Sequence, residues 1–116
     1  MKLGCHLACL HADNRIRVYD IKSRRRKPIA DIHLAEVEKA DNKSKLTKFC
    51  VSKCENYFYV ANARGSIYEV DAKKNYQIAG KFKGITTTIK DMQLWEDKLA
   101  VISLDGYLRI FNINTK

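Results

Sequence analysis

The stretch LAVISLDGYLRIFN, residues 99–112, has the pattern of two β-strands joined by a tight turn. Its first half, Leu99 to Leu104, is an almost continuous apolar run, which is typical of a strand covered on both faces. Asp105-Gly106 follows, a dipeptide that predicts a two-residue type I′ turn because both central positions need a positive φ, which Gly adopts freely. The stretch therefore predicts a β-hairpin.

The same pattern occurs twice more in the sequence. LACLHADNRIRVYD from Leu7 and FYVANARGSIYEVD from Phe58 align with residues 99–112 without gaps. The corresponding turns are Asp13-Asn14 and Arg64-Gly65, and Asn tolerates the left-handed conformation at the second position. The units close on Tyr19-Asp20, Val70-Asp71 and Phe111-Asn112.

The spacing of the repeats identifies the unit to which they belong. Gly65 and Gly106 lie 41 residues apart, and a period of about 40 to 45 residues holding four strands is typical of a WD40 propeller blade. Asn14 and Gly65 lie 51 residues apart. We assign the extra residues to the charged stretch EVEKADNKSK, 36–45, which we expect to be an exposed loop. Outer strands are predicted at 29–34 and 76–82, and inner strands at 46–51 and 89–95.

The sequence therefore predicts an all-β fold, a section of a WD40-type β-propeller. It would contain about two and a half antiparallel four-stranded blades and would not close by itself, since propellers need at least four blades. The predicted parts are a blade section at 1–35, the inserted loop at 36–45, a blade at 46–84 and a blade section at 85–116. Open end blades expose apolar faces and strand edges, so we expect self-association. A ten-stranded sandwich is the structural alternative, against which the 41-residue period argues.

The composition indicates one folded domain with an acidic partner. The chain has 116 residues, 46% of them apolar, with one proline and a formal charge of +9. Its apolar runs are too short to span a bilayer, and the start has no signal-peptide pattern, so an intracellular protein is expected. The positive charge favours nucleic acid over a membrane, because no basic amphipathic helix is predicted.

Five cations are concentrated between a predicted third and fourth strand. They are Lys22, Arg24, Arg25, Arg26 and Lys27. Arginine binds two phosphate oxygens at once and lysine adds a point charge, so a rim loop of this kind suits RNA. The run also fits a nuclear localisation signal. A merely solvated loop is the alternative reading.

No pattern in the sequence predicts catalysis, a cofactor or a metal. Cys5 and Cys9, and Cys50 and Cys54, are spaced C-x-x-x-C, which is not a usual zinc spacing, and we expect reduced core thiols. The acids Asp13, Asp20, Asp71 and Asp105 recur at turns and strand ends, which explains them structurally. No nucleophile elbow, P-loop or H-E-x-x-H occurs, so we do not expect an enzyme. Core packing is expected for most aromatic residues, with Tyr57 and Tyr107 as the exposed candidates. The aromatic residues in or next to the predicted strands are Tyr57, Phe58, Tyr59, Tyr68, Trp95, Tyr107 and Phe111.

The segments NRIRVYDIKSRRRKPIAD, NARGSIYEVDAKKNYQIAGKFKGITTTIKDMQL and LAVISLDGYLRIFNI resemble the WD-repeat proteins. Within them they are similar to nucleolar assembly factors of the large ribosomal subunit. The Gly-His dipeptide typical of WD repeats is absent, with Lys83-Gly84 at that place, and the Trp-Asp pair is replaced by Tyr-Asp, Val-Asp and Phe-Asn. The resemblance implies a non-enzymatic, nucleolar factor that binds precursor RNA and assembly proteins and is removed from the particle by an AAA-type ATPase. The alternative is a WD-repeat scaffold that binds only proteins.

Overall fold

The computed structural model describes residues 2–3, 6–22, 26–40, 44–82 and 84–113. Within these residues the chain forms three antiparallel sheets, and each sheet takes its strands from one continuous segment of the sequence. Every strand therefore pairs with its neighbour in the sequence, as repeated hairpins require.

The first sheet contains β1 (Lys2–Leu3), β2 (His6–Leu10), β3 (Arg15–Asp20) and β4 (Ala30–His33), in that order. The second contains β5 (Leu46–Val51), β6 (Tyr57–Asn62), β7 (Ile67–Asp71) and β8 (Gln77–Phe82). The third contains β9 (Ile89–Trp95), β10 (Lys98–Ser103) and β11 (Leu108–Asn112), with β10 in the middle. A helix, α1 (Ala35–Ala40), joins the first two sheets.

Two apolar cores lie between the sheets. The first holds Ala8, Ile16 and Val18 from the first sheet together with Val60 and Val70 from the second. The second core holds Tyr59, Ala61 and Ile67 from the second sheet together with Leu99 and Val101 from the third. Successive strand residues point to opposite faces, so the second sheet contributes alternate residues to the two cores. This explains why β7 is buried along its whole length.

The strand predictions agree well with the structure. The inner strands β5 and β9 span the predicted residues, and the outer strands β4 and β8 lie inside the predicted ranges. One difference is the short strand β1, which pairs with β2 and gives the first sheet a fourth strand where three were expected.

The second difference lies in residues 36–45, which were expected to form an exposed loop. The structure has helix α1 at Ala35–Ala40, and its Val37 is 2% exposed in the first core. Glu36 Oε2 accepts a hydrogen bond from Ile78 N at 3.1 Å, on the outer strand β8. A single buried valine among charged residues gives too weak a period for the sequence to reveal a six-residue helix.

Candidate functional site: a basic rim, three turns and two open faces

The three repeated turns share one geometry. Asn14, Gly65 and Gly106 have φ values of 64°, 88° and 83°. In the first turn His11 N donates to Arg15 O at 2.9 Å and Asn14 N donates to His11 O at 3.1 Å, which encloses three residues. The equivalent inner bonds join Gly65 N to Asn62 O and Gly106 N to Ser103 O. This is a three-residue hairpin loop whose last residue is left-handed.

The predicted type I′ turn is therefore wrong in type, although its position is right. Within these described loops Asp13, Arg64 and Asp105 do not have a positive φ. A type I turn followed by one left-handed residue needs a positive φ only at its last position. Arg64 therefore does not need a positive φ in this loop, whereas a type I′ turn would force this residue into the strained left-handed conformation.

Two of the turns carry an ion pair that the sequence analysis missed. Asp105 Oδ2 accepts from Arg109 Nη2 at 3.0 Å, and Asp105 Oδ1 accepts from Ser103 Oγ at 2.6 Å. The hydrogen bond from Arg109 is the largest cause and the bond from Ser103 the second, and they lower the pKa of the Asp105 carboxyl to about 2. Asp13 Oδ2 accepts from Arg17 Nη2 at 2.6 Å, and this bond likewise lowers the pKa of Asp13. The signal was present as D-x-x-x-R at the same place in the first and third repeats.

Of the basic run, Lys22, Arg26 and Lys27 lie between β3 and β4, where a loop between the third and fourth strands was predicted. Lys22, Arg26 and Lys27 are exposed, whereas Arg24 and Arg25 lie outside the described residues. Asp20 Oδ1 accepts from Lys22 N at 3.0 Å and so turns the chain out of β3. Ile29 N donates to Val18 O at 2.8 Å and restarts pairing at β4. Among the ion pairs of the described residues none involves Lys22, Arg26 or Lys27, so their charges face solvent.

A second group of cations lies on two loops of the second sheet, of which the β7–β8 loop is equivalent to the β3–β4 loop. Lys53 follows β5, and Lys73 and Lys74 follow β7, and all three are exposed. Ala72 N donates to Asn56 O at 2.8 Å, which holds these two loops together. In an antiparallel sheet, loops after the first and third strands lie at the same end. We call this end, which carries the β3–β4, β5–β6 and β7–β8 loops, the basic rim.

The three cysteines that the structure describes differ in their exposure. Cys50 is 5% exposed, and burial raises the pKa of its thiol to about 11. Cys9 is half-buried. Cys54 is exposed, so the expectation of a core thiol is wrong there, and a hydrogen bond with the Ser52 hydroxyl lowers its pKa. Cys5 lies outside the described residues, among which no group of three metal-ligating side chains is found.

Most of the aromatic residues pack in the cores, with one exception that the sequence did not reveal. Phe58, Tyr59 and Tyr68 are buried, and Phe111 is half-buried. Tyr57 was expected to be exposed, but it is half-buried and packs against the second core. Tyr107 is 67% exposed in its turn, as expected. Trp95, for which core packing was expected, is 65% exposed at the end of β9 because its side of the third sheet is uncovered.

The first and third sheets each have one face that no other sheet of the described residues covers. On the third sheet Ile102 pairs with Leu108, and Ala100 pairs with Ile110, in rows across β10 and β11. Ile102, Leu108 and Ile110 are 46%, 61% and 61% exposed. We call this the front face of the third sheet. The uncovered face of the first sheet, its back face, bears Leu7, Cys9, Arg17 and Tyr19.

A cleft of about 440 Å³ lies between the outer strands β4 and β8. Its acids already have partners: Asp31 contacts Arg15 at 3.5 Å and Arg17 at 3.6 Å, and Glu36 accepts from Ile78 N. The acids of this cleft therefore serve the fold. Among the helices of the described residues, none has the length and apolarity needed to cross a bilayer.

Comparison with solved structures defines the fold. The chain is similar to the β-propeller domain of Cps50 (Swd1) from Myceliophteria thermophila, with a TM-score of 0.74 and 18% identity over 98% of this chain. It is also similar to the computationally designed proteins Ika4 and Ika8, with TM-scores of 0.68 and 0.66 and 16% identity to each. The chain spans 36%, 64% and 32% of the length of these three proteins, respectively. No protein-family model matches the sequence, and no significant match is found among curated proteins.

These likenesses place the chain in a structural class. It is an all-β protein of antiparallel sheets, open at both ends, with the fold of a section of a WD40-type β-propeller. The predicted fold class is thus confirmed.

Proposed function

We propose that the protein is a non-enzymatic scaffold that binds the precursor of the large ribosomal subunit through its basic rim. The observation that carries this proposal is that Lys22, Arg26 and Lys27, on one rim loop, are exposed and form no ion pair with any other described residue. Cations without a carboxylate partner are available to phosphate, whereas Arg17 and Arg109 are already neutralised within the fold.

The choice of ribosomal RNA as the polyanion rests on the resemblance to nucleolar WD-repeat assembly factors. It is supported by the net charge of +9 and by the rim position of the loop. A nuclear and nucleolar location, assembly proteins as further partners, and release by an AAA-type ATPase belong to the same proposal. The basic run would then serve RNA binding, nuclear import or both.

A scaffold that binds only proteins is the second candidate. The apolar front face of the third sheet favours it, because exposed apolar patches mark protein contacts. RNA binding by the rim separates the two candidates.

The test is RNA binding measured over a series of salt concentrations. A variant with Lys22→Gln, Arg26→Gln and Lys27→Gln is compared with wild type on large-subunit precursor RNA. The matched control carries Lys39→Gln, Lys45→Gln and Lys90→Gln, which removes the same charge from exposed residues elsewhere. Each phosphate contact contributes about −0.7 to −0.9 to the slope of log affinity against log salt, so the rim variant should lose a slope of about 2 to 3.

The control variant should keep the wild-type slope apart from a small general charge effect. If both variants weaken binding equally, the rim is no site and only the net charge acts. If wild type itself does not bind the RNA, the protein-only scaffold replaces the proposed function.

A further inference from the structure

In the repeat alignment, the uncovered front face of the third sheet corresponds to the face of the first sheet that packs against the second sheet. Its residues Ala100, Ile102, Leu108 and Ile110 occupy the positions of Ala8, Leu10, Ile16 and Val18 in the first sheet. Those four residues of the first sheet face the second sheet, and all of them belong to or pack against the first core. On β10 and β11, the front face of the third sheet therefore has nearly the composition of a face that is covered by a neighbouring sheet.

The same comparison holds for the uncovered back face of the first sheet. Its residues Leu7, Cys9, Arg17 and Tyr19 occupy the positions of Leu99, Val101, Arg109 and Phe111 in the third sheet. Leu99 and Val101 are buried against the second sheet, and Phe111 packs at the margin of that core. The back face of the first sheet therefore resembles a face that already packs against a sheet.

The charge on the back face does not prevent it from being covered. Arg17 is neutralised by Asp13, as Arg109 is by Asp105, through an ion pair within its own sheet. Asp31 is a second carboxylate near this arginine, with its Oδ2 atom 3.6 Å from Arg17 Nε. A buried guanidinium is most costly when it is unpaired, and these carboxylates offset part of that cost. The arginine at this place is thus compatible with sheet stacking.

We propose that two copies of this chain associate head to tail, with the front face of the third sheet in one copy packed on the back face of the first sheet in the other. Both faces then gain the neighbour that their repeat equivalents have within one chain. A head-to-tail joint is heterologous, so it either closes into a ring or continues to further copies. Stacking removes the exposed Ile102, Leu108 and Ile110 from water.

The test uses two variants that each block one face. Ile102→Glu places a charge in the middle of the front face, and Leu7→Glu places one on the back face. Both side chains are partly exposed, at 46% and 37%, so each variant should fold. Ala79→Glu, on the exposed outer strand β8, is the matched control. Far-UV circular dichroism and thermal unfolding verify folding, and sedimentation velocity measures the assembly state of the purified full chain.

We expect wild type and Ala79→Glu to associate and each blocked variant to be monomeric by itself. An equimolar mixture of the two blocked variants should form a dimer of twice the chain mass, because it restores one intact joint. Association of Leu7→Glu alone would overturn the proposal in favour of front-to-front pairing. A monomeric wild type, or a mixture of folded variants that stays monomeric, would also overturn it. RNA binding by the rim is a separate measurement and does not depend on this outcome.

Discussion

At the scale of single residues, the last position of each turn decides the hairpin. Gly65 and Gly106 have the same backbone conformation, but their surroundings differ. A Cβ atom at Gly65 would lie 2.7 Å from Thr87 O and 2.8 Å from Ile85 O, whereas at Gly106 it would meet nothing within 4 Å. The turn of the second sheet therefore packs directly against the backbone segment that leads into the third sheet.

This contrast predicts unequal costs for one substitution. Gly106→Ala should lower the free energy of unfolding by about 1 to 2 kcal/mol, because only the left-handed conformation opposes it. Gly65→Ala should cost at least twice as much, since it also forces the backbone of residues 85 to 87 to move. Urea denaturation of both variants measures the difference. Equal losses would show that the close approach at Gly65 does not constrain the fold.

The second residue-scale prediction concerns Asp105. Its pKa in the folded protein, about 2, lies below the 3.8 of an unperturbed carboxyl, chiefly because of Arg109. The ionised carboxylate therefore stabilises the fold fully above about pH 4, and this stabilisation is lost as the pH falls towards 2. Asp105→Asn should lower the melting temperature at pH 7, and the difference from wild type should shrink through that window.

Asp97→Asn serves as its control, because Asp97 has only a loose 3.7 Å contact with Lys98. Melting curves between pH 2 and 7 decide the matter. A difference between Asp105→Asn and wild type that is independent of pH would mean that the loop needs the shape of the side chain and not its charge.

At the scale of elements, the sequence reveals what repeats and misses what does not. The hairpins, the inner strands β5 and β9 and the loop position of Lys22, Arg26 and Lys27 could be predicted, because three hairpins that align without gaps fix their register. Helix α1 could not, since one buried valine carries its packing. The D-x-x-x-R ion pairs were visible in two repeats, but they are absent from the second, which has Arg64 and Tyr68 at these positions.

Helix α1 should contribute to the stability of the joint between the first two sheets. Val37→Ala removes apolar atoms from the first core and should cost about 2 kcal/mol in free energy of unfolding. Lys39→Ala, on the exposed side of the same helix, should change it by no more than about 0.5 kcal/mol. Urea denaturation compares the two variants. A negligible effect of Val37→Ala would mean that the inserted segment does not stabilise the joint between the two sheets.

At the scale of the whole molecule, the chain carries its charge and its apolar surface in different places. The described cations of the basic rim lie in loops, whereas the exposed Ile102, Leu108 and Ile110 lie on the front face of the third sheet. A scaffold built in this way can bind a polyanion at its rim while a further sheet covers its face. The fold alone does not select ribosomal RNA, which comes from the resemblance of the repeats and the loop.

The proposed function requires that the protein binds the large-subunit precursor through its basic rim. The most direct measurement is gradient sedimentation of the tagged protein from nuclear lysate, beside the Lys22→Gln, Arg26→Gln, Lys27→Gln variant. We predict that wild type sediments with large-subunit precursor RNA and that the variant moves to lighter fractions when equal nuclear amounts are compared. The proposed function would be contradicted if wild type stayed in light fractions, with proteins but without precursor RNA, at every salt concentration.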